Sequence, residues 1–405
     1  MRNLVIAFLV VLVAGCGPKV IDSVGDANVM VFDNEHLYFD AGAFDADLKD
    51  NETVYRIMDG RILLKKVTLP KYKRDVNATV KVSVASAGDR WDKSGSFFVI
   101  PNTSVKNFVS LEADGELPEG KKGHEGLKGI VGDQGYEPVV ELMRFMTPFG
   151  VGFYNDKMDN RKPVYVPHLE ERVDWEQDVT DRLSLLEEEV WVGIWIDTWT
   201  KEGYTVSAQI SFDETDYLYA EKPKTKVKSL LNTIPYYKNQ KHVDLFARKD
   251  LKLSASVPSN AKNIKLNYIS TGHGGHSGGD EFVKKVNIVK VNDQEIINFV
   301  PWRDDCASFR RFNPGSGVWL IEDTAAYIDW NTWKYEEKVI EERLASSDLS
   351  RSNWCPGSDV IPLVVDLDIQ SGQHEFTFSI PEAQPMLEDE MNHWLISAYL
   401  TWEEE

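Results

Sequence analysis

The chain has 405 residues, 42% of them hydrophobic, which is enough for two or three domains with buried cores. Its 45 basic and 65 acidic residues give a formal net charge of −20, which argues against a surface that neutralises nucleic-acid phosphates, so no nucleic-acid partner is expected. The 12 tryptophans fit either a protein that stacks flat rings or the tryptophan-rich cores of β-sandwiches.

Residues 1–16 have the pattern of a bacterial lipoprotein signal peptide. A basic start at Arg2 is followed by an apolar stretch over residues 4–14, shorter than the roughly 20 apolar residues of a membrane-spanning helix. Small residues precede Cys16 as in a lipobox, where the cysteine is lipidated and becomes the mature N-terminus. An ordinary cleaved signal with a chance cysteine is the alternative. The sequence thus predicts a lipoprotein anchored to the bacterial outer membrane, in the periplasm or at the cell surface.

Short segments of period 2, separated by Gly, Pro, Asn and Asp, dominate the rest of the chain. Strands are predicted over residues 80–84, 190–199, 205–212, 286–291, 374–380 and 397–402. Helical periodicity is confined to two short segments, 181–187 and 335–344. This pattern predicts an all-β protein built of antiparallel β-sandwiches of Greek-key or jelly-roll type.

Two domains are predicted, 27–218 and 219–405, because a polar, lysine-rich connector over residues 213–228 separates two runs of strands. Residues 102–137 and 324–352 resist strand assignment. The first segment is rich in Gly, Lys and Glu, and the second carries the longer helical pattern. We expect both to be insertions at the ends of the sandwiches, where binding loops cluster.

The cysteines predict one disulfide. Cys16 is assigned to the lipid, which leaves Cys306 and Cys355 as an even pair in an oxidising compartment. A bond between them would close a loop of about 50 residues and, in the chain-entropy model, add about 4 kcal/mol to stability. Two free thiols are the weaker alternative for an exported protein.

The histidines and serines give little support for a metal site or a nucleophile. Only His273 and His276 are close in sequence, on a glycine-rich loop, and no further ligand stands at a familiar spacing, so no metal and no other cofactor are predicted. A loop whose histidines donate hydrogen bonds explains the same pattern. The one Gly-x-Ser-x-Gly sequence, residues 275–279, lies inside this glycine-rich loop, and the chain has no spare cysteine. Carboxylates remain as the candidate catalytic groups.

One carboxylate lies among tryptophans. In the strand predicted at 190–199, alternation places Trp191, Trp195, Asp197 and Trp199 on one face. Such a face is typical of sugar binding, because an apolar sugar face stacks on an indole while the hydroxyls bond to the carboxylate. A tryptophan stripe covered by the second domain is the alternative.

Two further segments bring a carboxylate to a turn. Trp91 and Asp92 are neighbours after the Gly-Asp turn at 88–89, and Glu281 follows the glycine-rich loop, shortly before the strand predicted at 286–291. The first segment alone also fits a turn at the end of a strand that is followed by solvated charges.

These segments, in this order, resemble the peptide-N-glycosidase F family, bacterial amidases that release N-linked glycans from asparagine. The resemblance covers residues 30–405 and is carried by the stretches 89–93, 141–150, 178–181, 196–199, 269–274 and 351–357, together with Glu281. Its sharpest motifs are Arg-Phe-x-Thr-Pro at 144–148 and Trp-Cys-Pro-Gly at 354–357. It implies two jelly-roll β-sandwiches side by side with the site at their junction, and the disulfide inferred above coincides with one of the family's.

The resemblance also implies roles for individual residues. Asp92 corresponds to the principal catalytic carboxylate, Glu281 to the second, and Asp197 to a third acidic residue. Substrate-binding positions are implied for Arg351, Trp91, Trp199, Lys93 and His273, with His276 as the alternative to His273. Asp197 stands where the family usually has glutamate, and Lys93 replaces an arginine, which removes a planar fork of donors.

The activity implied is hydrolysis of the amide between asparagine and the first N-acetylglucosamine of N-glycosylated peptides or proteins, giving aspartate and free glycan. We expect a monomeric enzyme in which Asp92 activates the attack, Glu281 holds a water and Arg351 polarises the carbonyl. Two other functions stay open. One is a glycoside hydrolase that uses two carboxylates to cut between sugars, and the other is a glycan-binding lipoprotein without catalysis.

Overall fold

The structure, a computed structural model, describes residues 20–43, 54–102, 123–132, 135–151, 166–236, 242–274, 279–314, 318–386 and 391–404. The predicted signal peptide with Cys16, most of the segment 102–137, and His276 lie outside the described residues.

The N-terminal half forms two antiparallel sheets around one core. Its strands are β1 (Ala27–Leu37), β2 (Tyr55–Ile57), β3 (Ile62–Leu69), β4 (Val76–Ser86), β5 (Ser94–Ile100), β6 (Val140–Met146), β7 (Arg172–Asp178), β8 (Glu188–Ile196) and β9 (Tyr204–Glu214). One sheet has the order β1-β9-β4-β7, and the other contains β6-β5-β8-β3-β2. A 3-10 helix, Thr180–Leu185, follows β7 where the sequence predicts a short helical segment.

The C-terminal half forms a second pair of antiparallel sheets around a second core. Its elements are β10 (Thr225–Asn232), the single-turn helix α1 (Leu245–Arg248), β11 (Leu251–Val257), β12 (Ala261–His273), β13 (Asn287–Val291), β14 (Gln294–Phe299), β15 (Val318–Asp329), β16 (Lys334–Ala345), β17 (Asp359–Val360), β18 (Leu363–Asp366), β19 (Gly372–Ser379) and β20 (His393–Glu404). Two 3-10 helices, Cys306–Phe312 and Ser346–Asp348, flank the β15–β16 hairpin. The sheets have the orders β10-β20-β12-β18 and β11-β19-β13-β14.

Period-2 patterning builds these cores, as the sequence predicts. On β9, Val206, Ala208, Ile210 and Phe212 are each at most 2% exposed, and the residues between them are more exposed. One face of the strand therefore enters the core while the other faces outward. The predicted all-β class with two antiparallel sandwiches is confirmed.

The helix predicted at residues 335–344 is wrong, because this segment is strand β16. It pairs with β15 along all 12 residues of each strand, and neither strand pairs with another among the described residues. Tyr335 and Val339 lie four residues apart, a spacing that places two side chains on one face in a helix and in a strand alike. Their side chains are 82% and 70% exposed, so there is no core in which such a stripe could be buried. The insertion predicted at 324–352 is largely this hairpin.

A buried ion pair joins the two sandwiches. Arg144 on β6 binds Glu141, and both side chains are 0% exposed. The same guanidinium donates to the Leu395 carbonyl and the Thr271 hydroxyl of the C-terminal sandwich. Glu141 also accepts a hydrogen bond from Ser96 on β5. Because buried charges require partners on every side, this network fixes how the sandwiches meet.

The two sharpest sequence motifs contact each other at the same boundary. Cys306 and Cys355 form the predicted disulfide, with Cα atoms 5.1 Å apart. Just beyond it, the Gly357 N–H donates to the Met146 carbonyl, and the Met146 N–H donates to Ser358. Strand β17 then joins the N-terminal sheet beside β6. The motif at 354–357 therefore docks on the motif at 144–148.

Candidate active site

The loop between β4 and β5 carries Asp92 at this junction. Thr147 holds the loop, since its hydroxyl accepts from the Lys93 N–H at 2.7 Å and donates to the Trp91 carbonyl at 3.1 Å. The Tyr204 hydroxyl donates to the same carbonyl at 2.6 Å. The residues on both sides of Asp92 are thus tied to the sandwich, which fixes the direction of its side chain.

Arg351 connects the two principal carboxylates. Its Nε donates to Glu281 Oε1 at 2.9 Å, and its Nη2 donates to Asp92 Oδ2 at 3.4 Å. Glu281 and Arg351 belong to the C-terminal sandwich and Asp92 to the N-terminal one. The fold therefore brings together residues up to 259 positions apart in the sequence.

Arg351 is itself tightly held and only 4% exposed. The carbonyls of Ser346 and Leu349 accept from its Nη2 and Nη1 groups. The guanidinium carbon lies 5.1 Å from the ring centre of Phe282 and 4.7 Å from that of Trp354. Four of its five N–H groups thus have partners among the described residues, and one on Nη1 remains for a ligand.

Burial dominates the electrostatics of the carboxylate pair. Desolvation raises the pKa of Glu281 to about 7, with the charge of Asp92 adding to the rise and Arg351 opposing it. Desolvation also raises the pKa of Asp92, again against the attraction of Arg351. Two carboxylates that share one guanidinium titrate as a coupled pair, so the pair retains proton affinity near neutral pH.

Asp197 lies at the same edge of the sheet but in a different set of contacts. Its N–H donates to the Ser94 carbonyl at 2.9 Å, where β8 ends beside the start of β5. Its Oδ1 accepts from Trp199 Nε1 at 3.0 Å. The Arg61 guanidinium carbon lies 4.1 Å from the centre of the same indole. This carboxylate therefore holds an aromatic ring.

The three other residues near Asp92 and Asp197 that the resemblance marks for substrate binding reach the surface. Trp91 is 45% exposed and Trp199 46%. Lys93 is half-buried, and its charge lowers the pKa of the neighbouring Asp92 slightly against the effect of burial. Two exposed indoles near a carboxylate pair offer flat surfaces for sugar rings.

His273 is placed differently from these residues, with only 8% of its surface exposed. Its ring stacks on Trp354 and on His393, each at 5.3 Å between centres, and Nε2 is 2.8 Å from Thr271 Oγ1. Since Trp354 also lies against Arg351, His273 packs beside the support of that arginine. Its contact with substrate stays a prediction.

Trp191 and Trp195 do not line the site, so their predicted place on a glycan-binding face is wrong. Trp195 is 1% exposed and packs against Tyr236 of the C-terminal half, with ring centres 5.8 Å apart. Trp191 packs against Tyr55 at 5.7 Å. For Trp195 the alternative holds, a tryptophan covered by the second domain, whereas the ring that packs on Trp191 belongs to the N-terminal half. Trp199 differs from them in its exposure. It lies beyond Ile196, the last residue of β8, so the alternation of the strand no longer sets the direction of its side chain.

Two residues that shape the site were not predicted from the sequence. Asp89, 1% exposed, accepts from the Thr198 hydroxyl at 2.7 Å and from the Trp91 N–H at 3.0 Å, which ties the two acidic loops together. Arg61 is also 1% exposed. One feature of the sequence could have indicated that Arg61 is buried. It follows Gly60 and directly precedes the apolar residues that begin β3, a strand that enters the interior.

The described residues contain no group of three or more His, Cys, Asp or Glu side chains arranged to hold a metal ion. No helix in the same ranges is long and apolar enough to cross a membrane. What the arrangement does offer is acid–base chemistry by a carboxylate pair beside exposed indoles.

Comparisons with known proteins found matches that extend over most of the chain. Family models described as peptide-N-glycosidase F, N terminal and C terminal, match residues 28–212 and 241–401. A structure of PNGF-II in space group P21 is 29% identical with a TM-score of 0.76, and the alignment covers 94% of this chain and 66% of that one. The chain thus spans just under two thirds of PNGF-II.

Two other solved structures share the fold at lower identity. Recombinant peptide:N-glycanase F is 15% identical with a TM-score of 0.57, over 94% of this chain and 96% of that one. PNGase F described as a glycosylasparaginase from Flavobacterium meningosepticum is 15% identical with a TM-score of 0.56, over the same shares. No match to a curated protein was found.

Proposed function

The chain belongs to the peptide-N-glycosidase F family, and from that premise we propose that it hydrolyses the amide between asparagine and the first N-acetylglucosamine of N-linked glycans. The observation that carries the proposal is the Arg351 bridge between Asp92 and Glu281. An amide is a poor electrophile, so its hydrolysis requires one group that activates water and another that protonates the leaving nitrogen. A coupled carboxylate pair supplies both.

In the proposed reaction, water attacks the side-chain carbonyl carbon of asparagine and the bond to the sugar nitrogen breaks. Asp92, as the carboxylate, takes the proton of the attacking water. Glu281 supplies the proton of the departing amine, because its pKa of about 7 leaves it partly protonated at neutral pH. The remaining Nη1 hydrogen of Arg351 stabilises the negative oxygen that forms. The products are aspartate in the peptide and a glycosylamine, which water converts to free glycan and ammonia.

The test is incubation with a denatured N-glycoprotein, followed by peptide mass measurement, with Asp92→Asn as the control. The amidase converts asparagine to aspartate and leaves no sugar on the peptide. A peptide that retains one N-acetylglucosamine would instead indicate the glycoside hydrolase. Unchanged glycopeptides that are bound by the protein would indicate a glycan-binding lipoprotein.

We also propose that the protein works as a lipid-anchored lipoprotein of the outer membrane. The support is the lipobox-like pattern that ends at Cys16, together with the disulfide, which suits an oxidising compartment. We expect the wild type to partition with membranes and Cys16→Ser not to be processed as a lipoprotein. A mature wild-type protein that is wholly soluble and carries no lipid would contradict the anchor.

A further inference from the structure

We propose that Arg61 is a positioning residue for glycan binding, and that with Asp197 it fixes the Trp199 indole as a platform for an N-acetylglucosamine ring. The inference rests on the proposed function, since the sugar meant is the one attached to the scissile amide. It assigns Asp197 the task of orienting an aromatic ring, in contrast to the catalytic position that the resemblance implies.

The fold places Arg61 against Trp199. Arg61 directly precedes β3, and its carbonyl accepts from the N–H of Ile196 at 3.2 Å, where β8 ends. Trp199 follows three residues later. The guanidinium carbon lies 4.1 Å from the indole centre and 5.0 Å from the ring centre of Phe39. Phe39 in turn lies 5.3 Å from the indole, so the three side chains form one cluster.

The turn that delivers Arg61 has an unusual backbone. Met58, Asp59 and Gly60 have φ values of +58°, +56° and +91°. A left-handed conformation is unfavourable for methionine, although aspartate tolerates it, and it persists where the surrounding structure requires it. Here the turn directs the side chain inward, where Arg61 Nε donates to the Met58 carbonyl at 3.2 Å.

Stability alone does not explain a buried arginine at this position. Its Nη2 is buried without a hydrogen-bond partner in the described structure, and the nearest ion-pair oxygen is Asp59 Oδ2 at 3.7 Å. Desolvation lowers the pKa of Arg61, and the charges of Asp197 and Asp59 oppose that change. Replacement of a buried charge by an apolar side chain of similar volume is often neutral or stabilising. What the guanidinium adds is attraction to the indole face and to the carboxylate that accepts from the indole N–H.

Trp199 keeps 46% of its surface exposed in spite of these contacts. Asp197 fixes the edge of the indole at Nε1, and Arg61 covers part of the ring. A side chain that is both exposed and immobilised loses little conformational freedom when a ligand arrives. A flat, rigid and exposed indole is what an apolar sugar face requires.

A double-mutant cycle tests the inference. Arg61→Met keeps side-chain length and removes the charge, and we expect about a fivefold rise in KM for a glycopeptide with kcat changed less than about twofold. In a Trp199→Ala background the same substitution is expected to leave KM unchanged. An equal rise in KM in that background, or a fall in kcat with KM unchanged, would overturn the inference. Arg56→Met is the matched control, because Arg56 lies over Tyr38 at 5.7 Å on the neighbouring β2.

Asp197→Asn separates orientation from proton transfer. The asparagine oxygen still accepts from the indole N–H but cannot serve as a carboxylate acid or base. Because asparagine lacks the charge that attracts Arg61, we expect the indole to be held less firmly and KM to rise about fivefold while kcat changes less than about threefold, whereas a fall in kcat of a hundredfold, the usual weight of an acid–base group, would contradict the role given to Asp197.

A binding measurement separates this inference from the proposed function. We would titrate the disaccharide of N-acetylglucosamine into Asp92→Asn and into Asp92→Asn with Arg61→Met, by calorimetry, which needs no turnover. Weaker binding with Arg61→Met supports the platform even if no glycopeptide is hydrolysed. If the wild type hydrolyses glycopeptides and the two Asp92→Asn proteins bind the disaccharide with equal affinity, the inference about Arg61 is wrong and the proposed amidase function is unaffected. If Arg61→Met does not fold, Arg61→Lys replaces it, with a smaller expected loss of affinity that again disappears with Trp199→Ala.

Discussion

The site contains two acidic regions, each with a buried arginine, and the two arginines differ in what they contact. In the carboxylate pair, Arg351 is shared by Asp92 and Glu281, and burial raises the pKa of both acids. In the second region, which we call the indole platform, Arg61 and Asp197 both contact the ring of Trp199. Under the proposed function, the comparison teaches that what the oxygens of neighbouring acids contact decides whether an acid transfers protons or orients a ligand.

The largest effect should come from Asp92→Asn, the counterpart of Asp197→Asn in the other region. Removing the charge that activates water should lower kcat at least a hundredfold, the usual weight of one acid–base group. The isosteric change should leave cooperative unfolding intact. Glycan release followed by mass spectrometry measures the rate. An Asp92→Asn protein that folds and keeps most of its activity would remove the distinction between the two regions.

Arg351→Lys should be the next most damaging change. A single ammonium cannot reproduce the fork that joins Nε to Glu281 and Nη2 to Asp92, so we expect kcat/KM to fall about thirtyfold. Arg303→Lys is a suitable control, because Arg303 pairs with Asp305 outside the carboxylate pair. Equal losses in the two variants would mean that the Arg351 fork has no special part in the reaction.

Glu281→Gln should show how much the burial of this carboxyl group lowers the stability of the folded protein. The folded-state pKa of Glu281 is about 7 against a reference value of 4.5, so between these pH values the folded protein holds a proton that the unfolded chain has lost. The wild type should therefore lose stability as pH rises through this window, and below it the effect is absent. Urea unfolding should show that, between pH 4.5 and pH 8, the free energy of unfolding of Glu281→Gln rises by about 2 kcal/mol relative to that of the wild type. A constant difference between the two proteins would contradict the raised pKa.

The smallest effect concerns the loop that carries Asp92. Thr147→Val removes the hydroxyl that holds the Lys93 N–H and the Trp91 carbonyl. We expect kcat to fall about fivefold with KM little changed, in line with the loss of one or two buried hydrogen bonds. Thr68→Val, at an exposed position of β3, provides the control. A larger change in KM than in kcat would place Thr147 with the indole platform instead.

The sequence predicted those features that depend on local patterns, such as the alternation of apolar and polar residues along a strand. β9 shows its expected inward face, and Cys306 and Cys355 pair as their number and the predicted compartment suggest. Alternation also placed Trp195 on the face of Trp199, but it could not show that Tyr236 covers one and leaves the other open. Coverage depends on how the two sandwiches meet, which is a property of distant residues.

The site itself was predictable where residues carry motifs and unpredictable where contacts decide. Asp92, Glu281 and Arg351 were found through the family resemblance. Arg61 was not, because its importance lies in a turn conformation and in the register of β3 against β8. The β16 strand was mistaken for a helix because spacing by four residues does not distinguish the two structures.

The disulfide has a consequence for the covalent topology of the chain. Cys306 and Cys355, 49 positions apart, close a ring that contains the whole β15–β16 hairpin and, four residues before its end, Arg351. The exposed tip with Trp330 and Trp333 is the natural place for a protease to cut. A backbone cut there would open the hairpin but leave both fragments joined through sulfur. Arg351 would stay covalently linked to the N-terminal fragment as well as to its own, so a nicked molecule would still migrate as one species in gel electrophoresis until the disulfide is reduced.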